Sequence, residues 1–391
     1  MNYKISLDAM SGYTTPSVFT ATAQLTFRSV ALQYAKVVST DLVFDRNVSS
    51  PSNITGYNQD AVVDLLSLMR SCLVKKTADN KATVCYLKDI DRNYYYDNTP
   101  AVLTGTEGDV MVYLPVFYAK LSNMEGNKRK CSIAATQIDS SYKKYGGYLI
   151  GAYKAHATGN KLYSRSGITP TASVSQTGFI NYANARGGGF DIIDYEMHRA
   201  IAFLFYAKYG NRSSRAVLGT GGLSYGSGQT GTTNALGNRD TAAATAGAVN
   251  FQGLEAVHGW YYEWVSKVAI NNRVWTITDS DRTTRTVAAG ASDGWITDMA
   301  AMGDSEYLDV TPIAAGGSDT TYFSDYYYQS TGTGRVLARS SNSSSADGGV
   351  ACADAGNGSS SAGTSIGSRL AFRGEISEAE SVAAFKALPA L

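Results

Sequence analysis

Charge is scarce in this sequence. Lys, Arg, Asp and Glu together make up 17% of the 391 residues, whereas soluble proteins usually carry roughly 25%. The 34 basic residues nearly balance the 33 acidic ones, which leaves a formal net charge of +1. This balance argues against a partner held by bulk charge, so we expect neither nucleic acid nor membrane insertion.

Cysteine pairs and long apolar runs are also missing. Cys72, Cys85, Cys131 and Cys352 lie far apart without a CxxC motif, so we expect reduced thiols. No stretch reaches the roughly 18 apolar residues of a membrane-spanning helix, and residues 1–16 lack the basic head and apolar core of a secretory signal. We therefore expect a soluble protein that is synthesised in a cytosol and, for any role outside the cell, is released by another route, such as assembly into a particle freed by lysis.

Motifs for metal binding or nucleophilic catalysis are absent as well. The three histidines, His156, His198 and His258, are widely separated, and no HEXXH or HXH motif occurs. The GLSYG match at residues 222–226 lacks the strand and helix of a nucleophile elbow, and Cys352 has no neighbouring His or basic residue. We predict a protein without metal, cofactor or catalytic residues, although carboxylate pairs for glycoside chemistry stay open.

What the sequence does contain indicates a β-rich protein. Aromatic residues account for 11%, including 27 Tyr, and 39 Gly supply turns. Apolar and polar residues alternate up to about residue 50, which predicts a β-rich N-terminal unit. Helical spacing predicts a helix at residues 61–74 and a short one at 376–388. The apolar run 109–121 predicts a buried strand with Pro115 at an edge or bulge.

The clearest helix signal lies at residues 190–210. Asp191 or Asp194 can cap its start, and Gly210 can end it in the left-handed conformation. Its interior is apolar almost all round, which predicts a helix covered on most sides. Residues 219–247, rich in Gly, Thr, Ala and Asn, predict a long surface loop.

The most informative stretch is the Ser/Gly-rich segment 334–376. Such a composition is usually a linker, but too few residues follow it to form a second domain. Apolar residues interrupt it and predict short strands that display small-residue turns. Residues 340–367 contain no Lys, Glu, Gln, Met or Trp. The asparagine codons AAC and AAT, randomised at their two adenines, can encode every residue type that occurs there. They cannot encode Lys, Glu, Gln, Met or Trp. The composition is therefore typical of adenine-targeted mutagenesis.

A surface of Ser, Gly, Asn, Asp and Tyr is also the chemistry of antibody paratopes. Small polar side chains provide adaptable hydrogen bonds there, and tyrosines provide rigid contact area. Tyr326, Tyr327 and Tyr328 lie just ahead of the segment. They are predicted either as anchors for a ligand or as a half-buried strand edge.

At these residues the chain resembles a known family. GGVACADA (348–355) and SSSAGTSIGSRLAFRG (359–374) resemble the variable region of phage tail-tip receptor-binding proteins diversified by retroelements, the major tropism determinant-like family. Residues 108–120, 257–281 and 321–340 resemble that family's constant parts. The GWYYEWV segment within them is also similar to the NVWEWV signature of formylglycine-generating-enzyme-type C-type-lectin folds.

The resemblance implies an α+β fold with a C-type-lectin-like receptor-binding domain at 59–391. It also implies a β-rich attachment or trimerisation segment at 1–58, a variable region at about 326–372 and a homotrimer at a tail-fibre tip. The implied ligand contacts are small polar residues and tyrosines of the variable region: Tyr326, Tyr327, Tyr328, Ser340, Ser341, Asn342, Ser343, Ser345, Asp347, Cys352, Asp354, Gly356, Asn357, Ser359, Ser361, Gly363 and Ser365.

Departures from related families limit what the resemblance implies. The calcium-lectin signatures EPN, QPD and WND are missing, so calcium-dependent sugar binding is not expected. The formylglycine-generating enzyme has paired active-site cysteines, and the single Cys352 does not match them, so its activity is not expected either. The expected function is binding of a host cell-surface receptor, protein or polysaccharide, by a virion protein that also contacts other tail proteins. Two alternatives stay open: a bacterial surface adhesin of the same fold, and a glycan-degrading enzyme with carboxylates near 219–247.

Overall fold

The computed structural model describes residues 3–4, 20–21, 39–56, 59–244, 246–341 and 347–389. Its helices are α1 (Gln59–Ser67), α2 (Gln176–Asn184), α3 (Tyr195–Tyr209), α4 (Ser214–Leu218) and α5 (Val382–Ala387), with 3₁₀ turns at Asn234–Leu236 and Ala300–Met302. Its strands are β1 (Tyr3–Lys4), β2 (Thr20–Ala21), β3 (Ser39–Asp45), β4 (Ile54–Thr55), β5 (Arg70–Ala78), β6 (Lys81–Lys88), β7 (Asp91–Tyr95), β8 (Asp109–Leu114), β9 (Phe117–Met124), β10 (Lys128–Ala134), β11 (Lys143–Tyr145), β12 (Tyr148–Gly151), β13 (His156–Thr158), β14 (Lys161–Tyr163), β15 (Phe190–Ile192), β16 (Asn250–Phe251), β17 (Leu254–Glu255), β18 (Tyr262–Asn271), β19 (Val274–Thr278), β20 (Thr284–Ala288), β21 (Gly294–Met299), β22 (Pro312–Ala315), β23 (Tyr326–Tyr328), β24 (Arg335–Arg339), β25 (Ala353–Asp354), β26 (Ile366–Gly367), β27 (Leu370–Phe372) and β28 (Glu375–Glu378).

Most of these strands belong to three sheets, so the predicted β-rich architecture with a few helices is confirmed. A five-stranded sheet has the order β11-β9-β10-β3-β4. An eight-stranded sheet runs β15-β27-β12-β8-β5-β6-β28, with β7 paired to β6. A nine-stranded sheet runs β20-β19-β18-β24-β25-β23-β21-β22, with β26 paired to β18. Within the described ranges, no helix is long and apolar enough to span a membrane.

Residues 39–56, the described part of the predicted N-terminal segment with a strand of full length, pack against the rest of the chain. Strand β3 pairs along its whole length with β10, far along the chain. Leu42, Phe44 and Ile54 are buried in the same hydrophobic cluster as helix α3. These residues therefore share one hydrophobic core with the rest of the described chain, and the division at residue 58 stays a prediction. Residues 5–19 and 22–38, which carry most of the predicted attachment unit, lie outside the described residues.

Helix α1 is shorter than predicted. The helix ends at Ser67, and Arg70–Ala78 forms strand β5 instead. That strand pairs with β6 on one side and β8 on the other, which buries Cys72, Leu73 and Val74. Pairing with strands distant in sequence therefore outweighs the local helical spacing.

Two other predicted elements are divided in the structure. The apolar run 109–121 forms β8 and β9, which join different sheets on either side of Pro115. At the C-terminus, helix α5 begins late because the Ser381 hydroxyl caps it by accepting a hydrogen bond from the Ala384 N–H at 3.1 Å. Residues 376–378, predicted within that helix, belong to β28 (Glu375–Glu378), which pairs in parallel with β6.

Helix α3 is confirmed as the core helix, but it begins at Tyr195 and not at residue 190, because Phe190–Ile192 form strand β15, which pairs with β27. Asp194 caps it by accepting a hydrogen bond from the Met197 N–H at 2.9 Å, and Gly210 ends it with φ 58°. Every side chain from Tyr195 to Ala207 is buried. On one side Phe203 packs against Phe44 of β3 at 6.1 Å between ring centroids, and on another Tyr195 contacts Trp275 of β19 at 5.9 Å. The helix thus joins the five-stranded and nine-stranded sheets.

Candidate ligand-binding surface

The predicted variable segment is attached to the nine-stranded sheet at both of its ends. Strand β24 pairs with β18 on one edge and with β25 on the other. Strand β25 pairs in parallel with β23, which carries the three tyrosines, and β26 pairs in parallel with β18. Between β25 and β26, residues 356–365 lie exposed or half-buried at the surface. We call residues 356–365 the display turns.

One buried carboxylate holds both attachment points. Glu263 of β18 accepts hydrogen bonds at Oε1 from the Lys154 Nζ at 2.9 Å and the Arg369 Nε at 2.8 Å. The Nε of Arg339 lies 3.7 Å from its Oε2. Arg339 ends β24 and Arg369 precedes β27, so the same carboxylate contacts the residues on both sides of segment 340–368. We call these four side chains the Glu263 clamp.

The electrostatics of the Glu263 clamp follow from its complete burial. Burial would raise the pKa of Glu263, but the charges of Arg369, Lys154 and Arg339 outweigh it and hold the pKa well below its ordinary range. Burial lowers the pKa of Lys154 to about 7, although Glu263 attracts its proton. Burial also lowers the pKa of Arg339 to about 10. The carboxylate therefore stays ionised and offsets the charge of the surrounding cations.

A second buried contact holds the chain between residue 347 and β25. Asp325 accepts a hydrogen bond from the Ala351 N–H at 2.8 Å, and the Ser214 hydroxyl accepts one from the Val350 N–H at 3.0 Å. Burial raises the pKa of Asp325 to about 7. Gly349 passes so close that a Cβ there would clash with the Ser214 Oγ and lie 2.6 Å from the Asp325 Oδ1. Only glycine fits at that position without a shift of its neighbours.

Most of the described variable-region residues reach the surface. Exposed or half-buried positions from the predicted set are Tyr326, Tyr328, Asp347, Asp354, Gly356, Asn357, Ser359, Ser361, Gly363 and Ser365. Asn342, Ser343 and Ser345 lie outside the described residues.

Four predicted contact residues are buried in this conformation, so a ligand could touch them only after a rearrangement, and their role as ligand contacts stays a prediction. The exposed fractions of Ser340, Ser341, Cys352 and Tyr327 are 2% or less. The hydroxyls of Ser340 and Ser341 donate to backbone carbonyls inside the protein, at 3.4 and 3.1 Å. Cys352 belongs to a buried hydrophobic cluster, and burial raises the pKa of its thiol well above the ordinary value.

The tyrosines of β23 alternate between the two faces of the sheet. Tyr327 points into the core, where its ring lies 6.4 Å from that of Trp275. Tyr326 and Tyr328 are half-buried on the opposite face, with ring centroids 4.5 Å apart. Trp295 of β21 packs edge-on against Tyr326 at 5.5 Å. We call Trp295, Tyr326 and Tyr328 the aromatic platform; its tyrosines form the predicted half-buried strand edge, and their role as ligand anchors stays a prediction.

Sequence reasoning missed Trp295 and the neighbouring Asp293. Strand β21 is far from the variable region along the chain, and it reaches this surface because it pairs with β23, with Trp295 opposite Tyr326. A usable signal was present: Trp295 lies apart from the aromatic segment 260–275 that holds the other three tryptophans, directly after a Ser-Asp-Gly turn.

The described residues also include the histidines and the GLSYG match considered for other classes of site. No group of three or more His, Cys, Asp or Glu within them could hold a metal ion. His258 is buried, which lowers its pKa to about 4, and its Nε2 lies 2.8 Å from the Gly219 carbonyl oxygen. Of the GLSYG match, the Ser224 carbonyl accepts a hydrogen bond from the Trp260 indole at 3.1 Å. The His258 ring and the Ser224 backbone thus take part in contacts within the protein.

The carboxylate that the glycan-degrading alternative requires is likewise engaged. Asp240 is the acidic residue of segment 219–247. It accepts hydrogen bonds from the Lys208 Nζ at 2.6 Å and the Gln252 N–H at 2.7 Å. Glycoside hydrolysis uses two carboxyl groups on either side of the scissile bond. Asp240 joins helix α3 to the loop after β16 instead.

Comparison with known proteins finds weak structural similarity. Neither a protein-family model nor a curated protein matches this chain. A solved structure titled Major Tropism Determinant P3c Variant is similar with a TM-score of 0.25 and 12% sequence identity, over 77% of this chain and 83% of that chain. A TM-score of this size does not establish a shared fold.

Proposed function

We propose that this chain is a receptor-binding protein of a phage tail, and that the display turns with the aromatic platform form its ligand-binding surface. In this proposal a retroelement diversifies the surface, the body is a C-type-lectin-like domain, and the protein acts as a homotrimer at a tail-fibre tip. It carries no enzymatic activity, metal or cofactor, and its ligand is a receptor on the host cell surface.

The observation that carries the proposal is the separation between anchoring residues and displayed residues. The Glu263 clamp is buried on both sides of segment 340–368, and Asp325 and Ser214 hold its middle. The display turns between these anchors contain Gly, Ser, Asn, Ala and Thr. Since exposed small side chains contribute little packing, their replacement leaves the fold intact while the contacted ligand changes.

The composition of the display turns supports diversification of this surface. All residues at 356–365 belong to the set that an adenine-randomised asparagine codon can produce. The residues that form the clamp include Lys and Glu, which such randomisation excludes. The same alphabet also covers buried residues such as Ser340, Ser341 and Cys352. Composition therefore supports diversification of the segment, and burial separates its displayed positions from its anchored ones.

Small polar side chains give a weak contact surface for each copy of the chain. Serine and glycine offer hydrogen bonds but little apolar contact area. Most of the apolar area that a bound ligand would cover therefore belongs to the aromatic platform. Presentation of several copies on one particle raises the overall avidity through effective concentration. The number three comes from the family resemblance, and avidity explains why several copies would help such a surface bind.

The test exchanges exposed display-turn residues within the permitted alphabet. We expect Asn357→Ser, Ser359→Asn and Ser361→Asp, singly and together, to change which bacterial strains the full chain adsorbs to. Since these side chains are at the surface, the melting temperature should stay within a few degrees of wild type. Adsorption is measured on a panel of host strains, and unfolding is followed by circular dichroism.

The matched control makes similar exchanges at buried positions of the same segment. Ser340→Asn and Ser341→Asn should lower the melting temperature, because a larger polar side chain must fit into a filled site. If the exposed exchanges unfold the protein, or leave strain choice unchanged, the display proposal is wrong. Sedimentation of the full chain tests the trimer, and released sugar after incubation with host glycans would indicate an enzyme instead.

A further inference from the structure

We infer that the ligand is a host-surface protein that presents arginine side chains to an acidic aromatic patch. The patch consists of the aromatic platform with Asp293 and Asp347 beside it. This inference rests on the proposed function, because it names the chemical class that the same surface recognises.

The aromatic platform offers ring faces to a planar cation. Trp295 and Tyr326 meet edge to face with an interplanar angle of 81°, and Tyr326 and Tyr328 are tilted by 40°. All three side chains are half-buried, so part of each ring is accessible. A guanidinium group stacks on such faces through the electrostatic attraction of the ring quadrupole.

Two carboxylates are fixed at the border of the platform. Asp347 accepts a hydrogen bond from the Tyr328 hydroxyl at 2.6 Å, which ties this carboxylate to the ring. Asp293 accepts one from the Gln329 N–H at 2.8 Å, one residue beyond β23. Because these bonds hold the carboxylates in place, little ordering is needed when a guanidinium group binds between ring and carboxylate.

Negative charge accumulates at this surface without a basic partner. Asp354 lies beside Tyr328 in the parallel pairing of β25 and β23. Burial raises the pKa of Asp354, and the charge of Asp293 raises it further. No ion pair joins Asp293, Asp347 or Asp354 to a Lys, Arg or His among the described residues. Residues 340–368 contain no Lys or Arg either.

The charge pattern distinguishes an arginine from a neutral sugar. The ionised polar groups at the platform are carboxylates, which only accept hydrogen bonds. A sugar can also stack on aromatic rings, but it does not offset the mutual repulsion of the carboxylates. A guanidinium group supplies both the planar face and a fork of donors matched to carboxylate geometry.

The experiment titrates the full chain with two peptides that differ only in charge. One is acetyl-Gly-Arg-Gly-Arg-Gly-amide, and the other carries citrulline in place of each arginine. Tryptophan fluorescence reports binding at the platform, since Trp260, Trp264 and Trp275 are at most 2% exposed and Trp295 is accessible. We expect the arginine peptide to bind about tenfold more tightly, and more weakly at higher salt.

Three variants locate the effect. Asp347→Asn and Asp293→Asn keep the side-chain shape and the hydrogen bonds, and each should reduce the preference for arginine several-fold. Asp97→Asn is the matched control, because Asp97 is exposed and accepts a single backbone N–H bond, from Thr99 at 2.9 Å. It should leave the preference unchanged.

The outcomes separate this inference from the proposed function. Equal affinity for the two peptides, or an equal effect of all three variants, overturns the inference. Adsorption of the full chain to host strains is measured in parallel with and without the arginine peptide. Adsorption that the peptide does not inhibit refutes the arginine ligand and leaves receptor binding standing, whereas adsorption to no strain refutes receptor binding itself.

Discussion

Replacement of Glu263 by glutamine tests whether one carboxylate holds the displayed segment. A glutamine at this position retains the shape of the side chain and one hydrogen-bond acceptor, so the main loss is charge. The side chains of Glu263, Lys154, Arg339 and Arg369 are at most 2% exposed. Loss of one member of a buried ion cluster leaves its partners without compensation and typically costs about 3–5 kcal/mol. We expect a loss of this order in the free energy of unfolding.

The pH dependence of the loss gives a second, independent measure. Lys154 already has a folded-state pKa of about 7, and attraction to Glu263 is one of the factors that raise it. Without Glu263 the pKa of Lys154 in the folded protein falls further. The folded variant therefore binds fewer protons than its unfolded chain over a wider range of pH. Stability of Glu263→Gln should therefore rise with pH through neutrality, and the difference from wild type should be smaller at pH 9 than at pH 6.

Urea unfolding followed by circular dichroism measures both effects. The matched control is Glu375→Gln, because Glu375 pairs with Lys81 at 2.7 Å where both side chains are more than half exposed. Such a surface pair contributes little, so the control should stay within about 1 kcal/mol of wild type. The proposed role of the Glu263 clamp is wrong if Glu263→Gln loses no more unfolding free energy than the control. It is also wrong if the stability difference between variant and wild type grows towards pH 9.

Two further predictions concern Gly349 and Asp325, which meet at the buried contact between residue 347 and β25. Gly349→Ala should cost about 1–3 kcal/mol in unfolding free energy, because the new Cβ would clash with the Ser214 Oγ and lie 2.6 Å from the Asp325 Oδ1. Gly358→Ala is the control, since its nearest neighbouring atom would be 3.9 Å away; equal losses would contradict the steric argument. Asp325 has a folded pKa of about 7, above its unfolded value, so its stabilising contribution is present below about pH 4 and is lost as pH rises through 7. Asp325→Asn should remove that decline, by an amount on the order of a few kcal/mol between pH 4 and 7, and parallel stability curves for variant and wild type would contradict it.

Helix α3 shows which part of the fold could be predicted. Its cap Asp194, its terminal Gly210 and its apolar interior are all local features within one stretch of chain. Capping and left-handed termination depend on residues only a few positions apart, so sequence patterns report them directly. The β-rich character followed in the same way from alternation and aromatic content.

Strand β5 shows where prediction from sequence failed. The spacing of residues 61–74 fits a helix, yet the second half of that run forms a central strand between β6 and β8. A short apolar run fits a buried strand and a buried helix equally well by periodicity. The choice depends on partners that are distant in the sequence.

The candidate ligand-binding surface was also predictable only in part. Composition was enough to locate a segment of small residues with an unusual alphabet and to place tyrosines beside it. It could not show that Ser340, Ser341, Cys352 and Tyr327 are buried. A residue's face in a strand changes with a shift of one position, and the register is set by pairing across the sheet.

Trp295 and the Glu263 clamp belong to the tertiary structure alone. Trp295 reaches the tyrosines only because β21 pairs with β23. Glu263 meets Arg369 across 106 positions of sequence, and no local pattern marks a buried ion pair of that range. The amino-acid sequence alone thus determined the core helix, the β-rich character and the location of the small-residue segment, because these depend on local capping, periodicity and composition. Tertiary structure alone decided which side chains of that segment are exposed and which residues anchor it, because burial and strand pairing join residues distant in the sequence.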